Sequence, residues 1–325
     1  MRVLLTGGYG CIGSWIVRNL LERGDAAWIY DLKEDPRRLR LLLPEQQVSQ
    51  VHFIEGDVTD LTCLRTAIAK PGITHLVHLA GLQVPTCRAN PILGAQVNVI
   101  GTLNVLEAAR LSEGQIQRVV YASSAAVFGP PELYPDGPLG DEAPLLPTTH
   151  YGCFKVCNEG NARIYYQDYG LSSIGLRPWT VYGVGRDFGM TSEPTKAIKA
   201  LAIGRKYHIS YGGWQDLQFV DDVAKVFVRC LARPYQGAKS YNIRGHVVDL
   251  LTFHKALCAV DPTAKQLITF GDRQIAIAYN LDDSSLQEDM GPILRTPLEA
   301  GIRQTLDAFK DLKAQNRLDT SELDG

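Results

Sequence analysis

Residues 2–13 read Arg-Val-Leu-Leu-Thr-Gly-Gly-Tyr-Gly-Cys-Ile-Gly, and this stretch decides the fold of the chain. Its first half is apolar with β-propensity, which predicts a buried strand. Its second half spaces three glycines, Gly7, Gly10 and Gly13, as G-x-x-G-x-x-G. Apolar residues then recur at helical spacing as far as Gly24, which predicts a helix that begins inside the glycine run.

A glycine run between a strand and a helix N-terminus is the local structure that binds a dinucleotide. Without side chains the turn can be tight, and the backbone can approach a pyrophosphate closely. The free N–H groups and the dipole of the helix N-terminus then favour the negative charge of the phosphates. We therefore predict a dinucleotide site at Gly7, Gly10 and Gly13.

The nature of the dinucleotide is indicated by Asp31, at the end of the second predicted strand, residues 26–30. An acid about 20 residues beyond the glycines accepts hydrogen bonds from the adenosine ribose hydroxyls. It also repels a 2′-phosphate, which favours NAD over NADP. Lys33, Arg37 and Arg38 lie close by, so NADP is the alternative cofactor.

Strands and helices alternate through the first half of the chain. Further strands are predicted at residues 51–55, 75–79, 119–122 and 173–177, and helices at residues 61–69, 94–111 and 150–169. Such alternation implies right-handed crossovers and an α/β fold with a doubly wound parallel sheet. Ligands bind at the carboxyl ends of the strands in such sheets.

The alternation weakens after residue 183. We expect a domain at residues 1–183 that binds the cofactor, and a smaller α/β lobe at residues 184–312 that faces the substrate. Some segments of the second lobe are expected to return to the first domain. Residues 313–325 form a polar tail that we expect to fray.

Composition excludes several classes of protein. The formal net charge is −2, and no basic stripe suggests nucleic acid or an anionic membrane as a partner. No apolar run approaches the roughly 18 residues of a membrane span. Because the first predicted strand begins at residue 2, we expect no signal peptide. The seven cysteines include no C-x-x-C pair, so we expect free thiols, a cytoplasmic location and no metal site.

Tyr151 and Lys155 stand four residues apart on a predicted helix, and so share one face. Tyrosine titrates near pH 10, and a neighbouring ammonium lowers its pKa. Tyr151 can then take a proton from a substrate hydroxyl while hydride leaves the same carbon, with Lys155 on the nicotinamide ribose. Ser124, at the end of a predicted strand, can hydrogen-bond the reacting oxygen.

These features resemble the extended short-chain dehydrogenases/reductases, in the NAD-dependent epimerase/dehydratase branch. The resemblance extends from residue 2 to about residue 312. It rests on the glycine run at residues 6–13, Gly56-Asp57-Val58, His78-Leu79-Ala80-Gly81, Asn98, residues 123–129, Asp141-Glu142, Tyr151-x-x-x-Lys155, Arg177-Pro178, residues 181–183, residues 219–224 and residues 296–302.

The resemblance implies a Rossmann domain followed by a small C-terminal domain, with Ser124, Tyr151 and Lys155 as the catalytic residues. It implies NAD contacts from Gly7, Gly10, Cys11, Ile12, Gly13, Asp31, Asp57, Val58, Leu79, Ala80, Gly81, Asn98, Tyr151, Lys155 and Pro178. We expect the sugar-like substrate to contact Gln83, Ser124, Thr180 and Arg186. Many members form homodimers, here through the helices at residues 94–111 and 150–169.

One departure from the family pattern concerns the substrate. Nucleotide-sugar members commonly carry an arginine that holds the diphosphate about six residues before the Asp221-Asp222 pair, where this chain has Gln215. Losing that cation removes a charge-assisted contact of roughly 1.5–3 kcal/mol. The substrate could therefore be a free sugar, a sugar acid or a hydroxy acid, with Arg186 as the candidate for an anionic group.

Three functions follow from these residues. The first, and our main hypothesis, is a nucleotide-sugar epimerase or dehydratase that transiently oxidises a sugar carbon. The second is an NAD-dependent dehydrogenase of a small sugar, sugar acid or hydroxy acid, which releases NADH. The third is a non-catalytic NAD-sensing protein, although such proteins often lose the Tyr-Lys pair that this chain retains.

Overall fold

The structure is a computed structural model that describes residues 1–323. The strands are β1 (Arg2–Thr6), β2 (Ala26–Asp31), β3 (His52–Glu55), β4 (His75–His78), β5 (Arg118–Ala122), β6 (Ser173–Arg177), β7 (Thr180–Tyr182), β8 (Tyr207–Ile209), β9 (Trp214–Phe219), β10 (Ala238–Asn242), β11 (His246–Asp249) and β12 (Ile268–Phe270). The α-helices are α1 (Cys11–Glu22), α2 (Arg37–Leu42), α3 (Glu45–Val48), α4 (Leu61–Ala69), α5 (Val84–Ala89), α6 (Pro91–Ala95), α7 (Gly101–Arg110), α8 (His150–Tyr169), α9 (Glu193–Ile203), α10 (Val220–Ala232), α11 (Leu250–Val260), α12 (Ala264–Leu267), α13 (Ser284–Met290) and α14 (Leu298–Ala314).

The central sheet has seven strands in the order β10-β6-β5-β4-β1-β2-β3, and every neighbouring pair is parallel. Both faces of this sheet are covered. Val3 and Leu5 of β1 belong to the apolar core on one face, Leu4 belongs to the core on the other, and all three are fully buried. Helices α1 and α10 pack together, as do α4 and α7. The predicted doubly wound parallel sheet is confirmed.

The strand order reverses beside β1. The chain builds β2 and β3 on one side of β1, and then crosses to place β4 on the other. A crevice opens at the carboxyl ends of strands where the order reverses, and ligands bind there. Gly7, which follows β1, and Leu79, which follows β4, therefore stand at this crevice.

The second half of the chain builds smaller sheets beside the first. Strands β11, β9 and β7 form one sheet, and β12 pairs with β8. Only Pro178 and Trp179 separate β6 of the large sheet from β7 of the small one. Strand β10 returns to the large sheet and pairs with β6, so the two halves share chain segments.

The helix predicted at residues 94–111 begins earlier, at Pro91, and contains a π-helical turn at Gln96–Ile100 between α6 and α7. Within residues 1–323, Pro91–Arg110 is long and apolar enough to cross a membrane by length and composition, contrary to the expectation that no segment approaches this. About 44% of its 18-residue window is buried inside the protein. Core helices of soluble proteins meet the same criterion. The apolar composition of this helix is therefore explained equally well by packing on the sheet and by a membrane span.

The polar tail packs against the rest of the protein as far as Leu323. Helix α14 continues to Ala314, and Leu323 is buried. Lys199 donates to the backbone oxygen of Asp319 at 3.1 Å and pairs with Glu322. The described part of the tail therefore contacts the second lobe, and fraying of the tail stays a prediction. The last two residues of the predicted tail lie outside the described residues.

Candidate active site

The glycine run makes a turn that closely approaches the neighbouring strand end. Gly7 has a φ of +68°, and a Cβ built on it would lie 2.7 Å from the backbone nitrogen of Ala80. A Cβ on Gly13 would lie 2.6 Å from the carbonyl oxygen of Gly8. Helix α1 follows Gly10 without a side-chain cap among the described residues, so its first N–H groups remain available to an anion. These residues fit the pyrophosphate of a dinucleotide.

A cavity of about 650 Å³ lies over the carboxyl ends of the strands. Most residues predicted from the sequence to contact cofactor or substrate line it. They are Gly7, Gly10, Cys11, Ile12, Gly13, Asp31, Asp57, Val58, Leu79, Ala80, Gly81, Gln83, Ser124, Tyr151, Lys155, Pro178 and Arg186. Two others, Asn98 and Thr180, are buried in the protein and do not appear in the cavity wall within residues 1–323.

Asp31 stands at the end of β2, where the cavity wall passes from the glycine run to the second strand. Its Oδ1 accepts a hydrogen bond from the backbone N–H of Leu32 at 2.9 Å. Burial raises the pKa of the Asp31 carboxyl, and the backbone N–H groups of Leu32 and Tyr9 act in the opposite direction. The carboxylate can accept further hydrogen bonds, as the hydroxyls of a ribose require.

Tyr151 and Lys155 lie in the first turns of α8, which Thr149 caps by accepting the N–H of Gly152 at 3.0 Å. Lys155 Nζ donates to the carbonyl oxygen of Ala122 at 2.6 Å and lies 5.5 Å from the centroid of the Tyr151 ring. Burial lowers the pKa of Lys155 to about 8. The amine is thus fixed at the carboxyl end of β5 and remains largely protonated at neutral pH.

Ser124 follows β5 and faces Tyr151. Its Oγ accepts the N–H of Ala126 at 3.1 Å, which fixes the hydroxyl at the start of a short helical turn. Burial raises the pKa of Tyr151, while a hydrogen bond with Ser124 and the positive charge of Arg186 lower it. The two hydroxyls form the kind of pair that can hold one substrate oxygen and exchange a proton with it.

Glu159 supports this site and was overlooked in the sequence. It accepts two hydrogen bonds from the buried Arg177, at 2.9 and 2.7 Å, and a third from Ser123. Its negative charge also raises the pKa of Lys155, against the effect of burial. The available signal was its spacing, because Glu159 lies four residues after Lys155 on the same helix.

Asn98 lies behind the cavity wall, in the π-helical turn Gln96–Ile100. Its Nδ2 donates to the backbone oxygens of Gly94 and Leu82, at 3.0 and 3.2 Å. Its Oδ1 has no hydrogen-bond partner among the described residues and lies 2.6 Å from where a Cβ on Gly81 would stand. Asn98 therefore positions the segment after β4 instead of contacting the cavity itself.

Arg186 brings a positive charge into the cavity, on the loop between β7 and α9. Its Nη2 donates to Thr191 Oγ1 at 3.2 Å, whereas its Nε is buried with no partner in residues 1–323. Gly189 in the same loop has a φ of +105°, and a Cβ there would lie 1.9 Å from Gln83 Oε1. Gln83 and Arg186 thus meet at one end of the cavity, on the side of Tyr151.

Gln215, which replaces the arginine of the family pattern, is fully buried on β9. Thr180 Oγ1 donates to Gln215 Oε1 at 2.9 Å, and the amide Nε2 is unpartnered in the part of the chain that the structure describes. Neither side chain lines the cavity. Both belong to the core between β7 and β9, so this position offers no charge to a diphosphate.

Within residues 1–323, no group of three or more histidine, cysteine or acidic side chains is placed to hold a metal ion. All seven cysteines are free thiols.

The sequence of this chain is similar to those of known proteins. The NAD dependent epimerase/dehydratase family matches residues 3–243. A UDP-glucose 4-epimerase of Mycolicibacterium smegmatis is 31% identical over 323 residues, which cover 96% of this chain and 99% of that protein. A UDP-glucose 4-epimerase of Erwinia amylovora is 31% identical over 268 residues, or 75% of this chain and 77% of that protein.

Solved structures show the same fold. The Thermus thermophilus UDP-glucose 4-epimerase in complex with NAD superposes with a TM-score of 0.80 at 27% identity, covering 95% of this chain and 99% of that one. A partial consensus L-threonine 3-dehydrogenase reaches a TM-score of 0.83 at 22% identity, covering 96% and 100%. The second likeness concerns the fold alone.

Proposed function

Because this chain belongs to the NAD-dependent epimerase/dehydratase family, we propose that it transiently oxidises one carbon of a nucleotide sugar and then reduces it again. The family resemblance inferred from the sequence is confirmed by the match over residues 3–243. The observation that carries the proposed reaction is the hydroxyl pair of Ser124 and Tyr151, next to the buried amine of Lys155. It is further supported by the relative from M. smegmatis, a UDP-glucose 4-epimerase similar over its whole length.

In this mechanism Tyr151 Oη accepts the proton of a substrate hydroxyl, and Ser124 Oγ donates a hydrogen bond to the same oxygen. NAD, held by the glycine run, supplies the acceptor and donor of hydride when it is bound. The hydrogen bond with Ser124 and the positive charge of Arg186 offset the burial that disfavours the tyrosinate, because a nearby positive charge favours the ionised phenol. Lys155 would hold the nicotinamide ribose beside the phenol. Tyr151 returns the proton when the carbon is reduced again.

We propose NAD in preference to NADP as the cofactor. Asp31 lines the ribose end of the cavity, where a carboxylate accepts ribose hydroxyls and repels a 2′-phosphate. Lys33 and Arg37, two of the basic residues that made NADP the alternative, are exposed and do not line the described cavity. The third, Arg38, does line it.

The test uses the protein as purified. Denaturation should release close to one NAD(H) per chain, and calorimetric titration of the native protein with UDP-glucose and UDP-glucuronate should give micromolar dissociation constants. Tyr151→Phe should abolish turnover and leave NAD binding intact. Tyr166→Phe, on the same helix but outside the cavity, is the matched control and should keep full activity. Full activity in Tyr151→Phe would refute the proposed acid/base role.

A second function is favoured by Gln215 and Arg186: net NAD-dependent oxidation of a small sugar acid or hydroxy acid. The buried amide of Gln215 gives a diphosphate no charge, whereas Arg186 offers a cation on the side of Tyr151. A carboxylate beside the reacting hydroxyl would suit that arrangement. An empty cofactor site, no UDP-sugar binding and NADH production from a hydroxy acid would replace the first proposal with this one.

The same proposal includes a homodimer and a cytoplasmic location. Ile92 and Ile100 on the helix at residues 91–110, and Ile164 on α8, are exposed apolar side chains on the two helices expected to form the dimer surface. Burying such side chains is favourable, at about 25 cal/mol per Å². Free thiols at all seven cysteines support a reducing compartment.

A further inference from the structure

Arg38 lies where a basic residue could recognise a 2′-phosphate. It is on α2, just after the strand that ends in Asp31, and both residues line the cavity. Arg38 Nη1 donates to the backbone oxygen of Tyr9 at 3.1 Å. The backbone N–H of the same Tyr9 faces the Asp31 carboxyl and lowers its pKa. The guanidinium and the carboxylate therefore flank one residue of the glycine run, at the ribose end.

The guanidinium is already bound by another part of the chain. Its Nη2 and Nε donate to the two carboxylate oxygens of Asp187, at 2.6 and 3.1 Å, and Nε also donates to the Gly185 oxygen at 3.1 Å. Asp187 belongs to the loop between β7 and α9, far from Arg38 in sequence. This fork uses the geometry with which arginine otherwise binds a phosphate.

Building on the proposed binding of NAD, we infer that Asp187 is a cofactor-specificity residue: it occupies Arg38 and so withholds the cation from a 2′-phosphate. A phosphate at the ribose would meet the Asp31 carboxylate and an arginine whose charge is already compensated. Removing the Asp187 charge leaves Arg38 in the cavity wall, held by the Tyr9 and Gly185 oxygens, without its paired carboxylate. The loop itself stays anchored, because Trp15 Nε1 donates to the Val184 oxygen at 2.9 Å.

The experiment compares the affinities of nucleotide-stripped protein for NAD⁺ and NADP⁺ by calorimetry. Asp187→Asn should lower the ratio of the NADP⁺ to the NAD⁺ dissociation constant at least tenfold. This decrease in the ratio should disappear in the double variant that combines Asp187→Asn with Arg38→Met. Glu45→Gln is the matched control, because Glu45 holds Arg40 in a similar fork outside the cavity, and its ratio should stay within twofold of the wild type.

The outcomes separate the two proposals. If the wild type binds NAD⁺ and the ratio in Asp187→Asn is unchanged, the role of Asp187 is refuted and the proposed NAD function stands. The role of Asp187 is also refuted if the double variant that lacks Arg38 still shows the lowered ratio. Wild-type protein that binds neither dinucleotide would overturn both. If Asp187→Asn does not melt cooperatively, Asp187→Ser replaces it. The ratio of the NADP⁺ to the NAD⁺ dissociation constant in that variant then tests the role of Asp187.

Discussion

Replacing Gly7 with alanine should damage both the fold and the cofactor site, for two reasons that can be separated. Gly7 has a φ of +68°, which costs an alanine about 1–2 kcal/mol. The new Cβ would also stand 2.7 Å from the nitrogen and 2.8 Å from the Cα of Ala80. These are backbone atoms of the segment after β4, so no side chain can rotate away to relieve the overlap.

The magnitude follows from the distances. Ordinary contact with a Cβ begins at 3.4 Å, so the Ala80 backbone must move by about 0.7 Å from its present 2.7 Å. Overpacking of this kind costs about 1–3 kcal/mol. When the cost of the positive φ is added, we expect Gly7→Ala to destabilise the protein by about 2–5 kcal/mol. NAD⁺ affinity should fall at least tenfold, which corresponds to about 1.4 kcal/mol.

Gly24→Ala is the matched control. Gly24 also has a positive φ, +78°, but a Cβ there meets no described atom within 4 Å. The free energy of unfolding of this variant should fall only by the cost of the positive φ, about 1–2 kcal/mol, and its NAD⁺ affinity should be unchanged. The assay is urea unfolding followed by fluorescence, together with calorimetric titration of NAD⁺. Equal shifts of the unfolding midpoint in both variants, with unchanged NAD⁺ affinity in Gly7→Ala, would refute the close approach to Ala80.

Three further predictions concern the reaction, pH and assembly. Lys155→Met should lower turnover at least about 100-fold at pH 7 with a cooperative melt retained, and near wild-type turnover would contradict its role. Asp216 is fully buried on β9, where it accepts hydrogen bonds from Gln218 Nε2 and the Gly245 N–H. Burial raises its pKa from 3.8 to about 7, so the stability contributed by the protonated carboxyl is present below pH 3.8 and is lost as pH rises through 7. Asp216→Asn should therefore gain stability relative to the wild type between pH 5 and pH 8 in parallel melts, and a constant difference would contradict this. Ile100→Glu with Ile164→Glu should shift the protein from dimer to monomer in analytical ultracentrifugation, whereas a monomeric wild type would remove the proposed interface.

The elements that the sequence predicts well are those whose signal is local. The helices at Leu61–Ala69 and His150–Tyr169 are found close to the predicted bounds, since apolar spacing and capping residues lie within or next to each segment. Short elements such as β7, β11 and β12 were not predicted. Each has only three or four residues, too few for a periodic pattern, and exists because neighbouring strands pair with it.

The sequence by itself determined the parallel sheet, the glycine turn and the shared helix face of Tyr151 and Lys155, because each follows from spacing within a short segment. Only the tertiary structure decided what depends on segments distant in the chain. It put Asn98 behind the cavity wall and Thr180 in the core, although both were predicted to contact ligands. It also joined Arg38 to Asp187 in the cavity wall. Such pairings depend on how the crossovers and the second lobe fold back, and no local periodicity encodes them.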